Sequence, residues 1–153
     1  MFLCVHSGSV VQKESMMKQF TLGKQERLKS RKLIEELFSK GQRISVFPYR
    51  VFYQFKQKDK VPIKNSLQFG AGAGTRNFKK AVDRNRIKRL TREAWRLQNT
   101  KLKKKLDAHT HAMAVFFIYT GKELPAFDFV KEKTALIIEK LLTVADENRA
   151  SHT

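Results

Sequence analysis

Basic side chains are concentrated in one stretch of the chain, and the chemistry they offer is phosphate binding. Residues 76–105 contain thirteen Lys and Arg side chains against two acids, Asp83 and Glu93, a net +11 of the chain's +18. A solvated helix face normally interleaves acids with bases three or four residues apart, and this segment hardly does. The segment therefore predicts a surface for a polyanion, with nucleic acid as the first partner to consider.

Groups that could break a bond unaided are scarce. His109 and His111 would enter one strand with the same facing, but only Asp107 offers a nearby carboxylate, so a metal site there lacks a third ligand. The alternative, two half-exposed imidazoles at a strand entry, is the interpretation we favour. Because no matched acid and base and no activated nucleophile is visible, we predict no catalytic residue in the protein.

Aromatic side chains offer a second binding chemistry. Four of them bracket the connection between the first predicted helix and the first long strand: Phe38, Tyr49, Phe52 and Tyr53. With Arg50 and Lys56 at the rim, such a surface would let unpaired bases stack and phosphates pair. The alternative is that all four belong to the core. Since successive side chains of a strand point to opposite faces, at most one face of this strand can lie wholly in the core.

The composition is that of one folded domain. The chain has 153 residues, of which 41% are hydrophobic, and its single cysteine, Cys4, excludes an internal disulfide and a cysteine-only zinc site. No stretch approaches the roughly 18 apolar residues of a membrane-spanning helix, and the first residues do not resemble a secretion signal. We therefore expect a soluble, cytoplasmic protein with no membrane partner.

Apolar spacing predicts alternating helices and strands. In order they are a helix at 24–40, strands at 44–56 and 63–73, a helix at 79–105, a strand at 111–119 buried on both faces, and a helix at 127–144. The long helix between strands implies a crossover and hence a mixed sheet covered by helices. Residues 1–19 are expected to be a disordered extension, 20–146 the domain, and 147–153 a polar tail.

Glycines at the end of the strand at 63–73 allow two interpretations. Gly70, Gly72 and Gly74 alternate with alanines, which indicates close backbone approach or a tightly packed strand end. The alternative is a phosphate-cradling loop, but the Gly-Lys-Ser/Thr ending of a nucleotide P-loop is missing. We therefore favour packing as the reason for these glycines.

Residues 79–96 carry a family resemblance. Their sequence, Lys-Lys-Ala-Val-Asp-Arg-Asn-Arg-Ile-Lys-Arg-Leu-Thr-Arg-Glu-Ala-Trp-Arg, resembles the Arg-Asn-Arg signature of the bacterial ribonuclease P protein subunit. Residues 27–29 and 37–41 are similar to that family's first helix, so the likeness covers residues 20–142. The chain departs from the family at Gly74-Thr75-Arg76, where Ser-Lys-Lys is usual, and one extra residue lies between there and Ala81.

The resemblance implies a fold and a function. The fold is a single compact α/β (α+β) domain with a mixed four-stranded sheet, about three helices in the order α-β-β-β-α-β-α, and a left-handed β-α-β crossover. The function is to bind the catalytic RNA of ribonuclease P and the 5′ leader of precursor tRNA, assisting removal of the leader by the RNA with bound Mg²⁺. No obligate protein partner is implied. The alternatives are a ribosomal or other RNA-binding protein of the same fold, and a metal nuclease in its own right.

The resemblance also assigns site residues by position. Contacts to the catalytic RNA fall to Arg76, Lys79, Lys80, Arg84, Asn85, Arg86, Lys88, Arg89, Arg92 and Arg96. Contacts to the leader fall to Ile34 and Phe38, with Tyr49 or Phe52 from the strand. Because family members commonly have an aromatic residue where Ile34 stands, plain apolar contact replaces base stacking at that position.

Overall fold

A computed structural model describes residues 22–57, 66–108 and 111–151, which form four helices around one sheet. The elements are α1 (Arg31–Lys40), β1 (Gln42–Val46), β2 (Tyr49–Gln57), β3 (Leu67–Ala73), α2 (Ala81–Gln98), α3 (Thr100–Asp107), β4 (His111–Tyr119) and α4 (Phe127–Ser151). The strands lie in the order β1-β2-β4-β3, and only the pair β3 and β4 is parallel. The predicted mixed four-stranded sheet is therefore confirmed, while the handedness of its crossover stays a prediction. Residues 1–19 and His109 lie outside the described residues.

The segment predicted as one strand at 44–56 is a hairpin. A turn at Phe47 and Pro48, joined by a cis peptide bond, separates β1 from β2. The two strands pair from Val46 with Tyr49 to Gln42 with Tyr53. Proline has no N–H to donate to a strand ladder, which explains why a single continuous strand was the wrong prediction here.

The first helix is shorter than its apolar spacing predicts. It begins at Arg31, because residues 22–28, which we call the strap, form a turn at residues 24–26 and then pair with β3 at Arg27. The Leu28 N–H donates to the Phe69 carbonyl at 2.8 Å, and the Phe69 N–H donates to the Glu26 carbonyl at 2.7 Å. The predicted end at Gly41 is confirmed, because the helix ends at Lys40 and Gly41 is its C-cap. A Cβ at Gly41 would lie 2.3 Å from the Leu37 carbonyl oxygen.

The two later helices also differ from the prediction. The helix expected over 79–105 is divided at Asn99 into α2 and α3, so the domain has four helices in the described ranges where about three were expected. Asn99 still accepts a hydrogen bond from the Lys103 N–H at 2.9 Å, so the two helices follow each other closely. The last helix continues to Ser151, and residues expected in the polar tail from 147 onward are helical up to that point.

The main core fills the space between the sheet and the pair α2 and α4. Trp95 is fully buried and stacks on Phe69, with ring centroids 4.4 Å apart. Phe117 meets the Trp95 ring edge-on at 5.3 Å. Aromatic burial of this kind contributes both area and a fixed geometry, so the packing holds α2 firmly against the sheet.

Tyr49 ties β2 to α2 through a buried hydrogen bond. Thr91 Oγ1 donates to the Ile87 carbonyl at 2.8 Å, so the Tyr49 hydroxyl, 2.9 Å from Thr91 Oγ1, acts as the donor to it. Burial raises the pKa of Tyr49 to about 12. Because the phenol titrates near ~10 in the unfolded chain, this contribution to stability is complete below that pH and is lost as pH rises toward the folded value.

Replacing Tyr49 by Phe should lower the free energy of unfolding by about 1 kcal/mol at neutral pH, since one buried hydrogen bond is lost and the ring is kept. The variant should also lose less stability than the parent above pH ~10, because its position 49 no longer titrates. Urea unfolding across the pH range measures both effects. Identical stability of the two proteins at every pH would show that the Tyr49 hydroxyl contributes nothing.

Candidate nucleic-acid interface

The basic stripe lies on α2, opposite the buried face of that helix. Ile87 and Trp95 face the core, while Asn85, Arg89 and Arg92 are exposed, as their spacing of three and four residues predicts. Arg86 is exposed at the flank of this stripe, and Lys88 is half-buried there. The helix thus presents a continuous row of cations to solvent while its other side is held in the core.

Three arginines of this row have no carboxylate partner within the described parts of the chain: Arg86, Arg89 and Arg92. Arg96 differs, because it forms an ion pair with Glu93, and this hydrogen bond holds the pKa of the Glu93 carboxyl below its ordinary value. Unpaired guanidinium groups on a rigid helix suit phosphate oxygens, which they can bind through two parallel N–H donors.

Arg84 is engaged within the protein. Its Nη1 donates to the carbonyls of Phe78 and Lys79, both at 2.7 Å, on the approach to α2. We therefore assign Arg84 first to stabilising the residues that lead into α2. The family resemblance assigned it only to RNA binding. Lys79 and Lys80 are exposed on the same approach, and Arg76 is exposed just before them.

On the opposite face of the sheet, α1 leaves an apolar cleft partly open. Phe38 of α1 is 40% exposed and lies edge-on to Phe52 at 4.9 Å and to Phe116 at 5.3 Å between ring centroids. Ile34 and Ile118 are half-buried beside this cluster. We call these five residues the aromatic cleft. It can receive a flat, apolar group against the exposed side of Phe38.

Gly70 and Gly72 make room for Phe116. A Cβ at Gly70 would lie 2.5 Å from Phe116 Cδ2, and one at Gly72 would lie 3.1 Å from Phe116 Cε1. The ring therefore lies over the backbone of β3, where only glycine lets it approach so closely. Close packing, one of the two interpretations from the sequence, is the reason for Gly70 and Gly72. It was the wrong interpretation for Gly74, where a Cβ would meet no atom within 4 Å.

Tyr49 does not belong to this cleft, and its assignment to leader binding was wrong. It is 2% exposed and points into the main core, whereas Phe52, an odd number of positions along the same strand, points to the α1 side. Phe52 is 9% exposed under Phe38, so it forms the floor of the cleft. The alternation resolves the choice between Tyr49 and Phe52 that the sequence left open.

The cationic rim of the cleft is smaller than expected. Lys56 Nζ lies 3.2 Å from Glu36 Oε2 of α1, and its side chain is 9% exposed, so its charge is already compensated. Arg50 pairs in register with Ile118 and is exposed on the cleft side. Of the two cations predicted at the rim, Arg50 therefore remains available to a ligand.

Sequence reasoning missed Phe116 and Ile118 because the strand at 111–119 was expected to be buried on both faces. The structure leaves these two residues half-buried on the cleft side, while their neighbour Phe117 is fully buried. Buried and half-buried side chains alternate only in the last residues of this strand. The sequence does not show this alternation, because all of these residues are apolar. Only the pairing of Phe116 with Phe52 across the strands shows that both belong to one surface.

Metal-binding groups do not gather in the described ranges. Within residues 22–57, 66–108 and 111–151 there is no cluster of three or more His, Cys, Asp or Glu side chains that could hold an ion. Over the same ranges, no helix is both long and apolar enough to cross a bilayer.

The chain is similar to proteins that are already known. A family model for ribonuclease P matches residues 22–141. The ribonuclease P protein component of Porphyromonas gingivalis is 35% identical over 112 residues, which cover 73% of this chain and 80% of that protein. That of Chlorobium phaeobacteroides is 28% identical over 128 residues, 79% of this chain and 88% of that protein. A solved Staphylococcus aureus RNase P protein mutant aligns with TM-score 0.53 and 19% identity over 88% of this chain and 96% of that one, which supports the fold.

Proposed function

Because this chain belongs to the family of ribonuclease P protein components, we propose that it binds the catalytic RNA of that enzyme through α2 and the 5′ leader of precursor tRNA through the aromatic cleft. The protein is thus one part of a tRNA-processing ribonuclease. Its relatives are named ribonuclease P protein components, which favours this proposal over the alternative of a ribosomal or other RNA-binding protein with the same fold.

The observation that carries the proposal is the presence of two different RNA-compatible surfaces on opposite faces of one sheet. Arg86, Arg89 and Arg92 offer charge that no acid in the part of the chain described by the structure compensates, which suits the phosphates of a large folded RNA. Phe38 and Phe116 offer stacking surface with Arg50 beside it, which suits a single strand whose bases are unpaired. A protein with both surfaces can hold two RNAs together.

Bond breaking belongs to the RNA in this proposal. The sequence contains no visible nucleophile paired with a base, so we propose that the protein contributes binding. We propose that Mg²⁺ is held mainly by the catalytic RNA and the substrate. A cationic protein touching both RNAs reduces their mutual repulsion, so less Mg²⁺ should be needed to bring them together.

Reconstitution tests this function directly. The purified protein is mixed with a bacterial ribonuclease P RNA and a precursor tRNA at a magnesium concentration where the RNA alone acts slowly. We expect mature 5′ ends to form faster in the mixture, because the protein adds affinity for the substrate. If the rate equals that of the RNA alone, the proposed function is wrong.

A parallel reaction addresses the metal nuclease. The protein is incubated with precursor tRNA and Mg²⁺ but without the RNA subunit, in the presence and absence of EDTA. We expect no cleavage in either sample. Cleavage that EDTA abolishes would mean that the protein carries its own active site and would contradict the assignment of catalysis to RNA.

A further inference from the structure

A groove rich in arginine lies between the strap and the second half of α2. Four guanidinium groups and two leucines line its volume of about 590 Å³: Arg27, Arg89, Arg92, Arg96, Leu22 and Leu90. The one acid among its lining residues, Glu93, is paired with Arg96. We call this the arginine groove. It adds Arg27 and two apolar residues to the basic stripe that the sequence predicted.

The strap is anchored so that Arg27 is held at this groove. Glu26 is 8% exposed, and its carboxylate accepts hydrogen bonds from the Gly23 N–H at 3.0 Å and from Lys103 Nζ of α3. Leu28, the other neighbour of Arg27, is 6% exposed, and its backbone N–H donates a hydrogen bond to the Phe69 carbonyl of β3. Arg27 itself is exposed between these two buried residues. Its position therefore follows from the anchoring of its neighbours.

Electrostatics make this arrangement unfavourable without a ligand. Arg27, Arg89 and Arg92 form no ion pair with any acid of the described ranges, so three like charges line one groove and repel each other. The sequence nevertheless fixes Arg27 there through a buried carboxylate and two backbone hydrogen bonds. An anion in the groove would convert this repulsion into attraction.

The lining also limits what kind of anion fits. Leu22 and Leu90 pack at the edge of the main core and give the groove an apolar side next to its guanidinium groups. A free phosphate would leave these leucines uncovered, whereas a nucleotide carries a flat base next to its phosphate. In a duplex the bases are stacked inside and cannot reach such a side wall, so an unpaired nucleotide is the better match.

We propose that the arginine groove binds one unpaired nucleotide of the catalytic RNA, with its phosphate at Arg27 and Arg92 and its base against Leu22 and Leu90. The proposal rests on the proposed function and deepens it, because it names a specific contact of the same RNA. Arg27 becomes an RNA-binding residue from a segment outside the basic helix. The volume of the groove lies in the range of about 300–1,000 Å³ typical of small-ligand sites.

Binding of the protein to a bacterial ribonuclease P RNA, without tRNA, tests this contact. The variant Arg27→Ala should bind about tenfold more weakly, because a charge-assisted hydrogen bond to phosphate is lost. Arg27→Lys should recover part of the affinity. The matched control is Arg43→Ala, which removes the same charge from an exposed site on β1, at the other edge of the sheet, and should change affinity less than twofold.

The outcomes separate the two proposals. If the parent protein does not bind the RNA, the proposed function itself fails. If the parent binds and Arg27→Ala behaves like Arg43→Ala, the groove is not an RNA site while the proposed function stands. Thermal unfolding of each variant shows whether a loss of affinity reflects a loss of fold, and Arg27→Lys keeps the test valid if Arg27→Ala is unstable.

Cross-linking identifies the ligand itself. A photoreactive group is attached to Gln25→Cys, an exposed strap position, in a Cys4→Ser background so that one thiol reacts. Irradiation of the complex should join the strap to an unpaired nucleotide of the RNA, and Arg27→Ala in the same protein should reduce this product. Cross-links confined to base-paired nucleotides, or no cross-link in a formed complex, would overturn the proposal.

Discussion

Replacing Arg86 and Arg89 together by Ala should weaken binding to the catalytic RNA by about 100-fold. Each guanidinium is exposed on α2 and has no acid partner in the described ranges, so its charge is available to phosphate. A hydrogen bond to a charged group contributes about 1.5–3 kcal/mol, and each 1.4 kcal/mol is tenfold in affinity, so two lost contacts account for this loss. Filter binding of labelled RNA measures it.

The salt dependence gives an independent check on the same variant. If the parent protein engages about 6 phosphates, log K should fall by about 4 to 5 per decade of salt, and the double variant should lose about 1.4 to 1.8 from that slope. The control is Lys131→Ala with Lys140→Ala, which removes two exposed charges from α4. A parent affinity independent of salt, or an equal loss in the control, would contradict phosphate binding by α2.

Replacing Phe38 by Ala should weaken binding of precursor tRNA to the assembled enzyme by about 1 to 3 kcal/mol, the range for loss of a base–aromatic stack. Mature tRNA should bind as before, because it has no leader to enter the aromatic cleft. Phe38 is 40% exposed, so much of its ring is available for a ligand although its edges touch Phe52 and Phe116. Equilibrium binding of both tRNAs to parent and variant gives the comparison.

Two further variants make this measurement specific. Phe38→Leu keeps apolar area but removes the aromatic ring, so it should lose most of the same affinity if stacking is the interaction. Phe47→Ala removes a more exposed phenylalanine, 78% accessible, from the turn between β1 and β2 and should affect neither tRNA. Equal losses for precursor and mature tRNA in Phe38→Ala would assign Phe38 to the packing of the domain instead.

The architecture followed largely from apolar spacing, and the exceptions have local causes. The glycine end of α1 was predicted correctly, because it depends on neighbours in sequence. Pro48 was missed because the residues on both sides of it are strand formers. The strap was missed because helical spacing in residues 24–28 continues into α1, whereas the chain forms a turn at residues 24–26 and then hydrogen-bonds to Phe69.

The candidate sites show a similar division. The basic stripe could be found from sequence, since its residues share one helix and the period of a helix is known. The aromatic cleft could be found only in part, because it joins Phe38 and Phe52 to Phe116 across three elements, and register between distant strands is a tertiary property. Arg27 could not be found, because its position beside Arg92 depends on the anchoring of Glu26 to α3.

One strand serves both surfaces. Phe69 stacks on Trp95 beneath the basic helix, and the next residue, Gly70, lies under Phe116 of the cleft. In the proposed assembly, α2, the main core and the sheet would therefore lie between the ribozyme and the leader. The distance between the two RNAs would then be set by the packing of α2 against the sheet, through Trp95 on Phe69 and the hydrogen bond between Tyr49 and Thr91.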